Sequence, residues 1–206
     1  MRSIYDFIII PKKFRYNNTK KIGDQELILN TEIFNHQYIS REAIVKHIPL
    51  ITKTKIQQGD EVIVHHNVFR RWHNIRGEEK NSRNYINEST YAVREDQIFL
   101  YKRNKKWCTL KNYCFVKPIK SYNKFSVDKE QPLMGIMKYT NKDLPDINNG
   151  DLVGFTPSSE YEFIIDGERL YRVLTNSISI KYEHQGDEEE YNPSCTQSGG
   201  RINKSC

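Results

Sequence analysis

The sequence predicts an all-β protein built as two tandem domains, and three observations predict it. Helical periodicity is almost absent along the 206 residues. Short apolar runs bounded by Gly, Asn, Asp or Pro recur, as half-buried strands require. And one order of five strand signals occurs twice. Aromatic residues make up 12% of the chain, mostly Tyr and Phe, which favours strands over helices.

The first element of each half is an apolar strand running into a proline, DFIIIPKK at 6–13 and YCFVKPIK at 113–120. A polar stretch follows, then a second strand, SREAIVKH at 40–47 and PLMGIMKY at 132–139. A Gly-Asp turn launches the third, IQQGDEVIV at 56–64 and INNGDLVGF at 147–155. Glycine supplies the positive φ of such a turn, and the aspartate bonds neighbouring backbone amides as the strand begins. Two close strands end each half, within 90–102 and 169–182. Aligning Phe7 with Phe115 separates the halves by 108 positions, whereas Gly59 and Gly150 are 91 apart, leaving 17 extra residues in the first half before its Gly-Asp turn. Most of that excess falls within 12–38.

Charge is uneven. Residues 1–106 carry 20 Lys/Arg against 12 Asp/Glu, a net of +8, and residues 107–206 carry 12 against 14, a net of −2. A basic half suits nucleic acid or an acidic protein partner, but acidic residues mixed among the basic ones favour an ordinary solvated surface. The apolar run Phe7–Ile10, ended by Pro11, is too short for a signal peptide or a membrane span, so a cytosolic protein is expected. Cys108, Cys114, Cys195 and Cys206 form no CxxC pair, and reduced thiols are the expectation. The composition changes again at 184–206, where an acidic run and then Asn, Pro, Ser and Gly predict a flexible tail.

With these signals in order, residues 4–182 resemble the co-chaperonin (GroES-like) family. The family domain is a small β-barrel whose first strand ends near a basic-proline segment. A long mobile loop, a glycine-containing strand, a Gly-Asp strand and a closing pair follow. The resemblance implies two GroES-like barrels at about 1–106 and 107–184, with a tail at 185–206. It implies a mobile loop at about 12–38, where KKIGDQELILNTE sets Leu27, Ile28 and Leu29 in a polar segment. These three match the family's apolar anchor for a chaperonin (GroEL-like) ring. It also implies a homo-oligomer, no cofactor and no chemistry of its own, ATP being the partner's. The Asn/Lys/Ile-rich style resembles the divergent co-chaperonins that bacteriophages carry.

The chain departs from the family in four ways. The second half has only KSYNKFSVDKEQ in place of the loop, with no apolar tripeptide. Both halves are short where the family's roof hairpin sits. The first half has an insertion at 65–89. Two domains per chain leave ring size open. The other reading of this stretch is that 26–31 is an ordinary buried strand.

The insertion invites other readings. His65, His66 and His73 suggest a metal or nuclease site, but adjacent histidines on a strand would face opposite ways, and no carboxylate pair completes a set, so no metal is expected. Arg70, Arg71, Trp72, Arg76, Lys80, Arg83 and Tyr85 form a candidate basic and aromatic patch, able to grip phosphates and stack bases or to serve a subunit interface. No catalytic set is visible, so an enzyme is not expected. The resemblance implies a lid that docks on a chaperonin ring to assist protein folding; a virion structural or decoration protein and a nucleic-acid-binding barrel are the alternatives.

Overall fold

The computed structural model describes residues 3–16, 19–28, 39–110, 112–123 and 129–183, with the backbone alone for 19–22 and 26–28. The expected tail at 185–206 lies outside them. Two units divide the chain, Met1–Cys108 and Thr109–Cys206. Sequence places this boundary two residues earlier.

Among the described residues all the regular structure is β apart from single 3-10 turns. The first unit holds β1 (Phe7–Pro11), β2 (Thr19–Ile22), β3 (Gln25–Ile28), β4 (Glu42–His47), β5 (Glu61–Val64), β6 (Arg71–His73), β7 (Glu79–Asn81), β8 (Tyr85–Asn87), β9 (Thr90–Val93), β10 (Ile98–Arg103) and β11 (Lys106–Thr109). The second holds β12 (Tyr113–Lys120), β13 (Glu130–Tyr139), β14 (Leu152–Phe155), β15 (Tyr161–Ile165), β16 (Glu168–Leu174) and β17 (Ile178–Tyr182). Among the described residues no helix is long and apolar enough to cross a membrane.

The first unit's main sheet runs β11-β10-β5-β4-β1-β9-β8 and the second's runs β17-β14-β13-β12-β16-β15. Reading the first from β10 and the second from β17, six strands follow in the same order, so the sequence repeat is a repeat of topology. It holds rung by rung. Ile9 pairs with both Val45 and Tyr91, and Val116 pairs with both Met137 and Tyr171. Two residues on, Pro11 faces Ala43 and Pro118 faces Gly135. The bulge also repeats, since the register slips between Ile8 and Ile9 and between Phe115 and Val116. A 3-10 turn joins β9 to β10 at Glu95–Gln97 and β16 to β17 at Thr175–Ser177.

These rungs correct one alignment. Phe7, two residues before Ile9, matches Cys114, and Phe115 matches Ile8. The offset in the first strand is therefore 107 positions, not 108, and the first unit's excess ahead of its Gly-Asp turn is 16 residues, all but one between β1 and β4. The two prolines, not the two phenylalanines, mark equivalent positions, because register is set by backbone pairing and not by aromatic identity.

The Gly-Asp turns match atom for atom. Gly59 (φ 91°) donates its N–H to Val45 O at 2.8 Å, and Gly150 (φ 98°) donates to Met137 O at 2.7 Å. Asp60 Oδ2 accepts from Gln57 N at 2.7 Å, and Asp151 Oδ2 from Asn148 N at 2.8 Å. A positive φ is open to glycine without a Cβ clash, and the carboxylate caps the amide left over by the turn.

In the first unit Phe7, Ile9, Val45, Val62, Val64, Phe69, Tyr91, Val93 and Leu100 are buried. In the second, Cys114, Val116, Met137, Val153, Phe155 and Val173 pack as one cluster, with Leu133 and Tyr171 against it. Each large aliphatic or aromatic side chain taken out of water contributes roughly 1.5–3 kcal/mol. Hydrogen bonding leaves each main sheet open, with β11 and β8 as edges of the first and β15 and β17 as edges of the second. The described residues are thus all-β, in antiparallel sheets none of which is closed, and this pairing does not by itself make the two small barrels that were expected.

Candidate functional site

The connection between β1 and β4 in the first unit is where the anchor Leu27, Ile28 and Leu29 was expected. Its two ends come together in a neck. Tyr16 forms an isolated bridge with Ile39, and Ser40 donates its N–H to Arg15 O at 3.0 Å. Tyr16, Ile39 and Ser40 are all buried. Beyond the neck, β2 and β3 pair as a hairpin from Thr19↔Ile28 to Ile22↔Gln25, turning at Gly23 (φ 62°). That hairpin is a sheet of its own and joins no strand of the main sheet. Leu27 and Ile28 stand at the end of β3, opposite Lys20 and Thr19. Leu29 lies outside the described residues. The expected loop therefore begins as a two-stranded ladder.

In the second unit the equivalent connection is short. Ser121 donates its N–H to Lys129 O at 2.9 Å, and 124–128 lie outside the described residues.

The insertion is a second hairpin followed by an edge strand. β6 and β7 pair from Arg71↔Asn81 to His73↔Glu79, and β8 joins β9 on the main sheet. The turn is organised by Asn74, whose Oδ1 accepts from Arg76 N at 2.9 Å and Glu78 N at 3.0 Å, with Gly77 at φ 76°. Ile75 stands fully exposed at this tip.

The candidate patch is only partly brought together. Arg70 lies over the Trp72 ring at 5.8 Å. Arg71 faces Glu79 at 3.6 Å, and Lys80 faces Glu78 at 3.2 Å. Tyr85 donates its hydroxyl to Glu88 at 3.1 Å. Arg76 sits in the tip and Arg83 is exposed beyond β7. Two of the five cations are thus met by carboxylates within the insertion.

His65 and His66 do not sit on a strand facing opposite ways. His66 opens a 3-10 turn, His66–Val68, and the two rings stack with centroids 4.3 Å apart. His65 Nδ1 accepts from Asn67 N at 3.1 Å, which uses one ring nitrogen to cap that turn. Among the described residues no group of three His, Cys, Asp or Glu side chains could hold a metal ion.

The residues that sequence reasoning missed are Arg15 and Tyr16. Arg15 Nε donates to Phe69 O at 2.7 Å, and its Nη2 donates to Arg70 O at 3.3 Å and to Asn81 Oδ1. The guanidinium lies 5.6 Å from the ring centroids of both Tyr85 and Tyr91. Burial pushes the Tyr91 phenol up, against the opposing pull of Arg15. Tyr16 accepts the Arg71 N–H on its hydroxyl at 2.8 Å and carries the Arg71 guanidinium over its ring at 5.3 Å. No spacing rule signals these contacts, because most run to backbone atoms more than fifty positions away.

Cys108 and Cys114 are free, and burial pushes the Cys114 thiol up to about 12. In the second unit the concentrated charge is a network. Glu168 is shared by Lys117 at 3.3 Å and Lys138 at 2.9 Å, while buried Arg169 holds Glu130 and, at 3.1 Å, Glu162. Its members tie β12, β13, β15 and β16 together.

No protein-family model matches the chain, and no curated protein is significantly similar to it.

Proposed function

We propose that the protein is a co-chaperonin-like lid whose first unit docks on a chaperonin ring through the segment carrying Leu27, Ile28 and Leu29. On this reading both units are divergent GroES-like barrels that have stayed open-edged, and the second unit is a structural repeat without a docking segment. The observation that carries the reading is the β2–β3 hairpin, which among the described residues pairs only with itself and whose second strand ends on Leu27 and Ile28. Three apolar side chains entering a partner's groove contribute roughly 1.5–3 kcal/mol each before ordering costs. Several copies around a ring turn a weak contact into strong avidity.

Self-association belongs to the same proposal. Ile4, Tyr5, Leu50 and Ile51 are exposed together in the first unit, joined by Leu50 N to Ser3 O at 3.1 Å and Ile51 N to Ile4 O at 3.2 Å. That apolar surface also suits a shell or decoration protein, which is the second reading. A nucleic-acid role is less supported, since Arg71 and Lys80 already face Glu79 and Glu78.

The test is co-elution of the purified protein with a bacterial chaperonin, with and without ADP, beside the Leu27→Asp/Ile28→Asp/Leu29→Asp variant. Nucleotide-dependent binding that the triple variant loses supports the lid. A folded oligomer that binds in no nucleotide state sinks it and favours the shell role.

A further inference from the structure

We infer that the insertion at 65–89 is a brace for the docking segment, and that Arg15 is the positioning residue through which it holds the segment's neck. The purpose of the brace rests on the docking reading; its geometry does not. Both ends of the connection meet at Arg15, Tyr16, Ile39 and Ser40, and the insertion grips that point from two sides. Arg15 reaches the backbone of Phe69 and Arg70 and the side chain of Asn81, so a single guanidinium spans the entry to β6 and the end of β7. Tyr16 takes the N–H of Arg71, which shares a rung with Asn81.

The second unit supplies the comparison. There β14 is joined to β15 by a short turn at 156–160, in which Ser159 Oγ donates to Thr156 O at 2.5 Å, and the β12–β13 connection is short as well. The unit with the long connection has the insertion, and the unit without one lacks the other. Two copies of one topology therefore differ in two places that touch each other.

The chemistry of the grip is specific to arginine. Its planar fork meets two carbonyls and an amide oxygen at once while its face rests on Tyr85 and Tyr91. A lysine keeps the charge and loses the fork. A segment whose neck is fixed surrenders less orientational freedom on binding, which raises affinity without any new contact.

The test compares Arg15→Lys and Tyr16→Phe with wild type in the full-length chain, by amide hydrogen exchange and by chaperonin affinity in ADP. Exchange at Thr19–Ile28 and Ile39–Ser40 should accelerate by about tenfold or more, with the amides of β4, β5 and β9 unchanged. Affinity should fall about tenfold although Leu27–Leu29 are intact. Tyr16→Phe retains the packed ring, so it reports on the neck even where Arg15→Lys disturbs folding. Wild-type exchange at the neck in both variants overturns the brace. Faster exchange with undiminished affinity overturns the positioning role. Faster exchange in a protein whose wild type binds no chaperonin upholds the brace and rejects docking alone.

Discussion

Arg103 Nη2 lies 2.6 Å from Asp60 Oδ2, tying the end of β10 to the turn that launches β5. In the second unit Lys181 Nζ stands at the same 2.6 Å from Asp151 Oδ2. The cation comes from the last residue of β10 in one case and from inside β17 in the other, so the repeat has kept the pairing and changed the residue that makes it.

The two aspartates are expected to differ in worth. Each accepts the amide three residues before it, but Asp60 is the more enclosed. Asp60→Ala should cost ~2–3 kcal/mol, the loss of a charge-assisted bond with its partner left part-buried. Asp151→Ala, whose lysine is largely in water, should cost ~1 kcal/mol after screening. Urea unfolding of the full chain measures both, and equal costs would contradict the enclosure argument.

Glu168 makes the second unit acid-sensitive. Burial works against its charge, but the hydrogen bonds of Lys138 and Lys117 outweigh that, and its carboxyl titrates below the ordinary carboxylate range. A depressed folded pKa stabilises fully above the unfolded value of about 4.3, and the contribution is lost as pH falls through the folded value. Glu168→Gln should lower stability by ~1–2 kcal/mol at pH 7 and by progressively less below pH ~4, leaving a flatter acid limb. Denaturant titrations across that range read it directly.

Cys114 is buried, its thiol is pushed up to about 12, and its Sγ lies 3.5 Å from Val173 O. With the other three cysteines replaced by serine, it should stay unlabelled by a thiol reagent at pH 7–8 and react only as denaturant opens the second unit. Its labelling rate then measures that opening. Rapid labelling of the native chain would contradict the packing of β12 on β16.

Gly135 faces Pro118 where Ala43 faces Pro11. A Cβ at Gly135 would come within 2.5 Å of both Lys117 O and Val116 Cγ1. One of these is backbone and cannot rotate away. Gly135→Ala should cost ~1–3 kcal/mol, as overpacking does, with the melting transition of the second unit moving down.

The main sheet was legible in the sequence because its signals are local. The runs before Pro11 and Pro118 and the turns at Gly59-Asp60 and Gly150-Asp151 each need only a few neighbouring residues to act. The alignment slipped by one at Phe7 because matching aromatics is weaker evidence than matching rungs. The pair His65–His66 was misjudged because a 3-10 turn, not a strand, carries it. The β2–β3 ladder was hidden because its turn, Gly23-Asp24, reads as part of a polar loop. Arg15 was invisible for another reason: a side chain seeking carbonyls across the fold leaves no trace in spacing or composition.

The Gly135 contact also has a consequence for how the chain is expected to find its fold. Two halves with the same register and the same bulge offer each strand two acceptable backbone partners, and repeat proteins are prone to that kind of misassembly. If β4 were offered to β12, the ladder would form until Ala43 reached the place of Gly135, where its methyl would strike Lys117 O and Val116. A missing methyl group thus acts as a key: β12 admits β13 and turns β4 away. Gly135→Ala would remove that distinction as well as strain the native sheet, so refolding yield should suffer beyond what the loss of stability explains.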